Sequence, residues 1–142
     1  MSDDLYTGWA PERWETPVSD VPDLFFESLL HDGALQITVG TADGQRWRLT
    51  FADAPGYLHL LEEYRLALWG RLQGAPPAGN TWHVPASPWL ARLRHEEPLL
   101  DVHHEGLRHF VVLTLSGVID VLSTHEAAVV ALEPGGASGA DA

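Results

Sequence analysis

The chain has no cysteine, which excludes a disulfide framework and any thiolate-bound zinc. It is equally poor in positive charge. All eight basic residues are arginine, set against 20 acids, and the formal net charge is -12. A chain this acidic is repelled by phosphate backbones and anionic membrane surfaces, so neither nucleic acid nor membrane is an expected partner. No apolar run approaches the roughly 20 residues needed to cross a bilayer. The first residues, Met1-Ser2-Asp3-Asp4, lack the basic and apolar regions of a secretion signal, and the expected location is cytoplasmic. Serine-nucleophile motifs, glycine-rich phosphate loops and paired-cysteine motifs are missing as well. Gly40-Thr41-Ala42-Asp43-Gly44 has a superficial likeness to a phosphate loop, but it joins two antiparallel strands and opens no helix. No cofactor is expected.

What is present is strand-forming sequence. Arg108 to Ser123 reads as two strands around Ser116-Gly117, taken as a two-residue turn with positive backbone angles. That register sets Leu113 opposite Asp120, Val111 opposite Leu122, Phe110 opposite Ser123 and Val112 opposite Val121. Both faces of the hairpin are mostly apolar, which predicts a central position in a sheet covered on both sides. Leu35, Ile37 and Val39 alternate with polar residues, as do Trp47, Leu49 and Phe51. For both sets to share a face, the connection must be the three-residue loop Ala42-Asp43-Gly44, with Gly44 left-handed. Upstream, a two-residue Asp32-Gly33 turn would pair Leu30 with Leu35, Ser28 with Ile37 and Phe26 with Val39. The predicted core face of this three-stranded meander is Leu24, Phe26, Leu30, Leu35, Ile37, Val39, Trp47, Leu49 and Phe51.

The remainder divides by its breakers. Prolines 11, 17 and 22 forbid a long helix before Leu24, and residues 1–22 read as an extended acidic arm whose tryptophans pack onto the domain. Tyr57 to Gln73 has helical spacing at Tyr57, Leu61, Tyr64, Leu68 and Leu72; a strand over Tyr57–Glu62 is the second reading. Thr81–Val84 reads as a short strand, and Ser87-Pro88 as a helix start running toward Pro98. Leu99–Gly106 suggests a brief strand, Ala127–Leu132 a last one, and residues 133–142 a disordered tail. The expected fold is a single α+β domain over residues 1–132, mainly antiparallel β-sheet with one or two short helices.

The pattern His109-Phe110 through Asp120-Val121-Leu122-Ser123 resembles the C-terminal hairpin of a group of short bacterial proteins, with further similarity at Trp47–Phe51, Tyr57–Glu63 and Ser87–Leu90. It covers roughly Leu35 to Ser123. The resemblance implies a strand at Tyr57–Glu63. It implies no established reaction, and some members of the group look like immunity-type partners of bacterial toxins.

Candidate functional residues are few. Asp120 lies in a mostly apolar strand and must reach solvent at the sheet end or find donors, pinning a loop or an arginine such as Arg92 or Arg94, or else serve as a pocket acid of raised pKa. His95, His103, His104, Glu105 and His109 offer imidazole and carboxylate groups, but their spacing suits no metal helix, and no metal site is assigned. Six tryptophans point first to packing and second to an aromatic-lined ligand cup. The residues singled out for interaction are Asp120, His109, Trp89, Trp9 and Trp14. Residues 1–32 carry eight acids against Arg13 alone, -7 of the -12. The expected function is a non-enzymatic, immunity-like binding protein with an acidic surface for a basic protein partner. The alternative is a small-ligand or enzymatic domain using Asp120 and His109. A homodimer through the meander edge or the Trp9/Trp14 arm is a third arrangement.

Overall fold

The computed structural model describes residues 9–61 and 77–133. Among these residues nine strands and two helices follow one another as β1 (Glu12–Arg13), β2 (Phe25–Asp32), β3 (Ala34–Gly40), β4 (Arg46–Phe51), β5 (Gly56–Leu60), β6 (Thr81–Val84), α1 (Pro88–Glu96), α2 (Leu99–His103), β7 (Arg108–Leu113), β8 (Val118–Ser123) and β9 (Ala128–Leu132). They form two antiparallel sheets, one ordered β1-β6-β7-β8-β5 and the other β2-β3-β4-β9. This is the α+β, mainly antiparallel fold that the periodicity predicts.

The β3–β4 loop behaves as its parity demands. Val39 faces Trp47, Ile37 faces Leu49 and Leu35 faces Phe51, with Gly44 at φ +96°. A left-handed residue is needed there to restore the strand twist, and glycine adopts it without a Cβ penalty.

The two other predicted registers are corrected. Asp32 pairs with Ala34 around Gly33, so Leu29, not Ser28, faces Ile37 and His31, not Leu30, faces Leu35, and a bulge between Phe26 and Ser28 then brings Phe26 opposite Val39 as predicted. Leu29 packs on the core, whereas Leu30 is 55% exposed. The bulge inserts one residue and switches the parity of the strand midway, so Phe26 and Leu29 can point the same way. Leu29→Asp is therefore expected to cost about 2 kcal/mol and Leu30→Asp under about 0.5 kcal/mol, read from urea midpoints. Equal effects would contradict the bulge.

The β7–β8 hairpin closes through four residues instead of two. Thr114 N–H and Oγ1 both donate to the Gly117 carbonyl, and Gly117 N–H donates back to Thr114 Oγ1. The register consequently slides by two. Val111, not Leu113, faces Asp120, and His109 faces Leu122. A slide of two keeps every side chain on its face, so the central, doubly covered hairpin stands as predicted. Phe110, Val112, Ile119 and Val121 enter the core between the sheets, together with Leu35, Ile37, Val39, Leu49 and Phe51. Val111 and Val118 join Trp82 and Val84 on the other face, and Leu122 meets Leu90 and Leu107 there.

The arm is part of this sandwich. Its β1 pairs with β6, and Trp14 lies in the core against Phe51 and Phe110. Thr16, Ser19 and Thr81 form a buried hydroxyl cluster, in which Thr81 Oγ1 donates to the Trp14 carbonyl at 2.6 Å. Asn80 Nδ2 donates to the carbonyls of Val18 and Val21, and Leu115 N–H to that of Leu24. The chain is thereby carried from the edge of one sheet to the edge of the other.

Residues 57–60 are strand, paired with β8, so the helical reading is corrected there; its remainder, from residue 62 onward, lies outside the described residues. Residues Met1–Gly8 of the arm and nearly all of the expected tail lie outside them too. The brief strand expected at Leu99–Gly106 is instead the helix α2, tied to α1 by Arg94 donating to Asp101 at 2.9 Å. Five residues span too little chain for a helical period to show. No helix among the described residues is long and apolar enough to cross a membrane.

Candidate functional site

The outer face of the five-stranded sheet brings together four of the five residues singled out for interaction. β7 presents His109 and β8 presents Asp120 one diagonal step away, which is within cross-strand reach. His109 Nε2 lies 2.7 Å from Asp120 Oδ1. The rings of Trp9 and Trp89 stand edge-on to the imidazole, at 5.0 and 5.1 Å between centroids. Trp14 belongs elsewhere, in the core between the sheets.

The third polar member is Ser87, which sequence reading treats only as a helix cap. It does cap α1, its Oγ accepting from Leu90 N–H at 3.1 Å, with Pro88 at the first helical position. Ala86 holds a left-handed backbone, φ +51°, at a cost of about 1 kcal/mol for a residue with a Cβ. That turn precedes the serine, whose Oγ sits 2.7 Å from His109 Nδ1. With Asp120 a carboxylate and His109 neutral, one proton arrangement satisfies all three groups. A carboxylate accepts, so His109 Nε2–H donates to Asp120; Nδ1 is then an acceptor for the Ser87 hydroxyl, whose oxygen is free to accept from Leu90. The missed signal was the hydroxyl proton: a serine cap uses its oxygen on the helix and still has a donor to place.

The order Ser87–His109–Asp120 is that of a proton relay, yet the surroundings make it a clamp. His109 and Asp120 are each 1% exposed and Ser87 is 4% exposed. An acyl-transfer site also needs donors for a developing oxyanion. At the α1 N-terminus, Pro88 has no N–H, Leu90 N–H is spent on Ser87 Oγ and Ala91 N–H on the Ser87 carbonyl, which leaves Trp89 N–H as a single donor in that turn. What the relay does achieve is to fix the start of α1 to β7 and β8. Beside it lies a cleft of about 250 Å³, lined by His83, Ser87, Leu90, Arg94, Leu107, Arg108 and His109 among others. Among the described residues its lining contains no tryptophan, tyrosine or phenylalanine, unlike the aromatic cup of the sequence reading. Neither arginine weighed as a partner for Asp120 reaches it: Arg92 bonds Glu96 and Arg94 bonds Asp101.

No family model, curated protein or solved structure matches this chain.

The histidine group is dispersed. His95 and His103 are exposed, and His104 donates from Nδ1 to both carboxylate oxygens of Asp53, at 3.0 and 3.1 Å. Among the described residues no three histidine or acid side chains are grouped to hold a metal ion. The bond from His104, with a second from Thr124, holds the Asp53 carboxyl below its ordinary range. His59, against Phe26 with a buried Nε2 that has no hydrogen-bond partner, is pushed the same way by burial.

These two shifts act on stability with one sign. In each case the unfolded chain takes up a proton at a higher pH than the folded chain does, so stability falls as pH falls. The loss from His59 begins below its ordinary value of 6.5, and that from Asp53 below 3.8. Urea midpoints are expected to decline between pH 7 and pH 5, in the range set by imidazole titration, and His59→Leu should flatten that decline. An unchanged slope in His59→Leu would remove His59 from the account.

Proposed function

We propose that this protein is a non-enzymatic binding protein of the immunity type, whose acidic surface takes a basic protein partner. The observation that carries the reading is how its cations are used. Of the six arginines among the described residues, five, Arg13, Arg46, Arg92, Arg94 and Arg108, face a carboxylate of the same chain, and Arg48 does not. Glu12, Asp23, Asp32, Glu97, Glu105 and Glu133 are exposed and carry no ion pair among the described residues. The surplus charge is therefore displayed to solvent, where it can steer a partner of opposite sign. Of this charge, Glu12 and Asp23 lie on the segment from β1 to Leu24, whose backbone is bonded to Thr81, Asn80 and Leu115. The hairpin resemblance supports the same reading.

The experiment is capture on the immobilised protein at low salt, stepwise salt elution, and titration of the purified partner. Release by salt of one basic protein, bound more weakly to Glu12→Gln/Asp23→Asn, is the expected result. A salt-insensitive association, or none, would overturn it. The second reading, a small ligand in the cleft beside Ser87 and His109, is favoured by that cleft alone. It expects a ligand-induced rise in melting temperature that Arg94→Ala abolishes.

A further inference from the structure

The two sheets end in four edge strands, and three of them are guarded. β1 is only two residues long. β2 carries Glu27, His31 and Asp32 and a bulge. β5 lies against β2, with Tyr57 on His31 and His59 on Phe26. Shortness, charge, bulges and cover are the means by which sheets avoid adding a strand. β9 has none of them. Its sequence is Ala128-Val129-Val130-Ala131-Leu132, without charge, proline or glycine, in unbroken register with β4 on one side and unpaired on the other among the described residues. Val130 is 58% exposed. Ala131 is exposed although it shares the inner face with Val129, so nothing described covers this edge. On a chain of net charge -12, β9 is among the described residues an edge without charge, glycine, bulge or cover.

We infer that β9 is a self-association edge, pairing antiparallel with β9 of a second copy about a twofold axis at Val130. The occupant follows from the strand itself, which is its own complement. About that axis Val130 meets Val130, Ala128 meets Leu132 of the second copy, and Val129 meets its Ala131. Mostly small residues face larger ones and no like charges oppose each other within the strand, as a closed twofold contact requires. The two four-stranded sheets become one of eight. At either end Glu133 falls beside Ala127 of the other copy and next to its Glu126. That repulsion, added to the like net charges, sets the sign of the salt effect: self-association tightens with salt, whereas binding of a basic partner weakens. Five residues a side is less than a permanent dimer buries, so the dissociation constant should lie at about 10 µM to 1 mM.

Sedimentation equilibrium of the full chain, across about 10 µM to 1 mM protein at about 50 and 500 mM salt, tests this. The expected mass rises from 15.6 kDa toward twice that value with concentration, and more so at the higher salt. Val130→Lys, which sets two ammonium groups at the axis, should weaken association about tenfold or more without moving the melting temperature. Glu133→Gln should strengthen it. A monomer throughout, a dimer that salt weakens, or one that neither substitution alters would overturn the inference.

Discussion

His109→Ala is expected to remove about 3–5 kcal/mol of stability, enough to lower the urea midpoint sharply or leave the chain unfolded. The imidazole is the middle member of a buried chain, bonded at 2.7 Å to Ser87 on one side and to Asp120 on the other. Its loss leaves a carboxylate oxygen and a serine hydroxyl without those partners at 1% and 4% exposure, and opens a hole between Trp9 and Trp89. Removing one partner of a buried hydrogen-bonded carboxylate costs more than replacing both partners together. Asp120→Asn keeps an oxygen to accept from Nε2–H and should cost less, about 1–2 kcal/mol, and Ser87→Ala about 1–2 kcal/mol through the lost cap and bond. A His109/Asp120 double-mutant cycle should show coupling above about 1 kcal/mol. Unchanged stability in all of these variants, with loss of ligand binding, would instead favour the cleft reading.

Trp14→Ala should be comparably damaging, at about 3–5 kcal/mol by chemical denaturation. Trp14 is 7% exposed, its ring is 4.9 Å from Phe110 and 6.0 Å from Phe51, and its Nε1–H donates to Glu126 at 3.2 Å. A large aromatic wedged between the sheets cannot be truncated without a cavity that the surrounding strands fill only partly. If the substitution were nearly neutral, the arm would be a free appendage, and the clamp of Thr16, Ser19 and Thr81 around it would have no energetic meaning.

The elements that could be read from the chain are those whose rule is local and unbroken. Ala42-Asp43-Gly44 was legible because two clean alternating runs flank it and only one loop length lets their apolar sets share a face. Ser87-Pro88 was legible because a cap followed by proline is a statement about one turn of helix. Phe25 to Asp32 was not, because its bulge places residues of both parities on one face and alternation carries no mark of the insertion. The tip of the β7–β8 hairpin was misread because Ser116-Gly117 offers a tight turn, while the Thr114 side chain closes a wider one.

The sequence by itself determined the antiparallel class, the central hairpin with two buried faces, most of the core face of the meander and the net negative charge, since hydrophobic period and charge are properties of consecutive residues. Only the tertiary structure decided that there are two sheets, that β9 is an edge strand among the described residues, and that Ser87, His109 and Asp120 meet. Those three are separated by 22 and 11 positions, and their contact is fixed by which strands lie side by side and by the placement of α1 over them. Strand order is a choice among long-range pairings that no local pattern encodes.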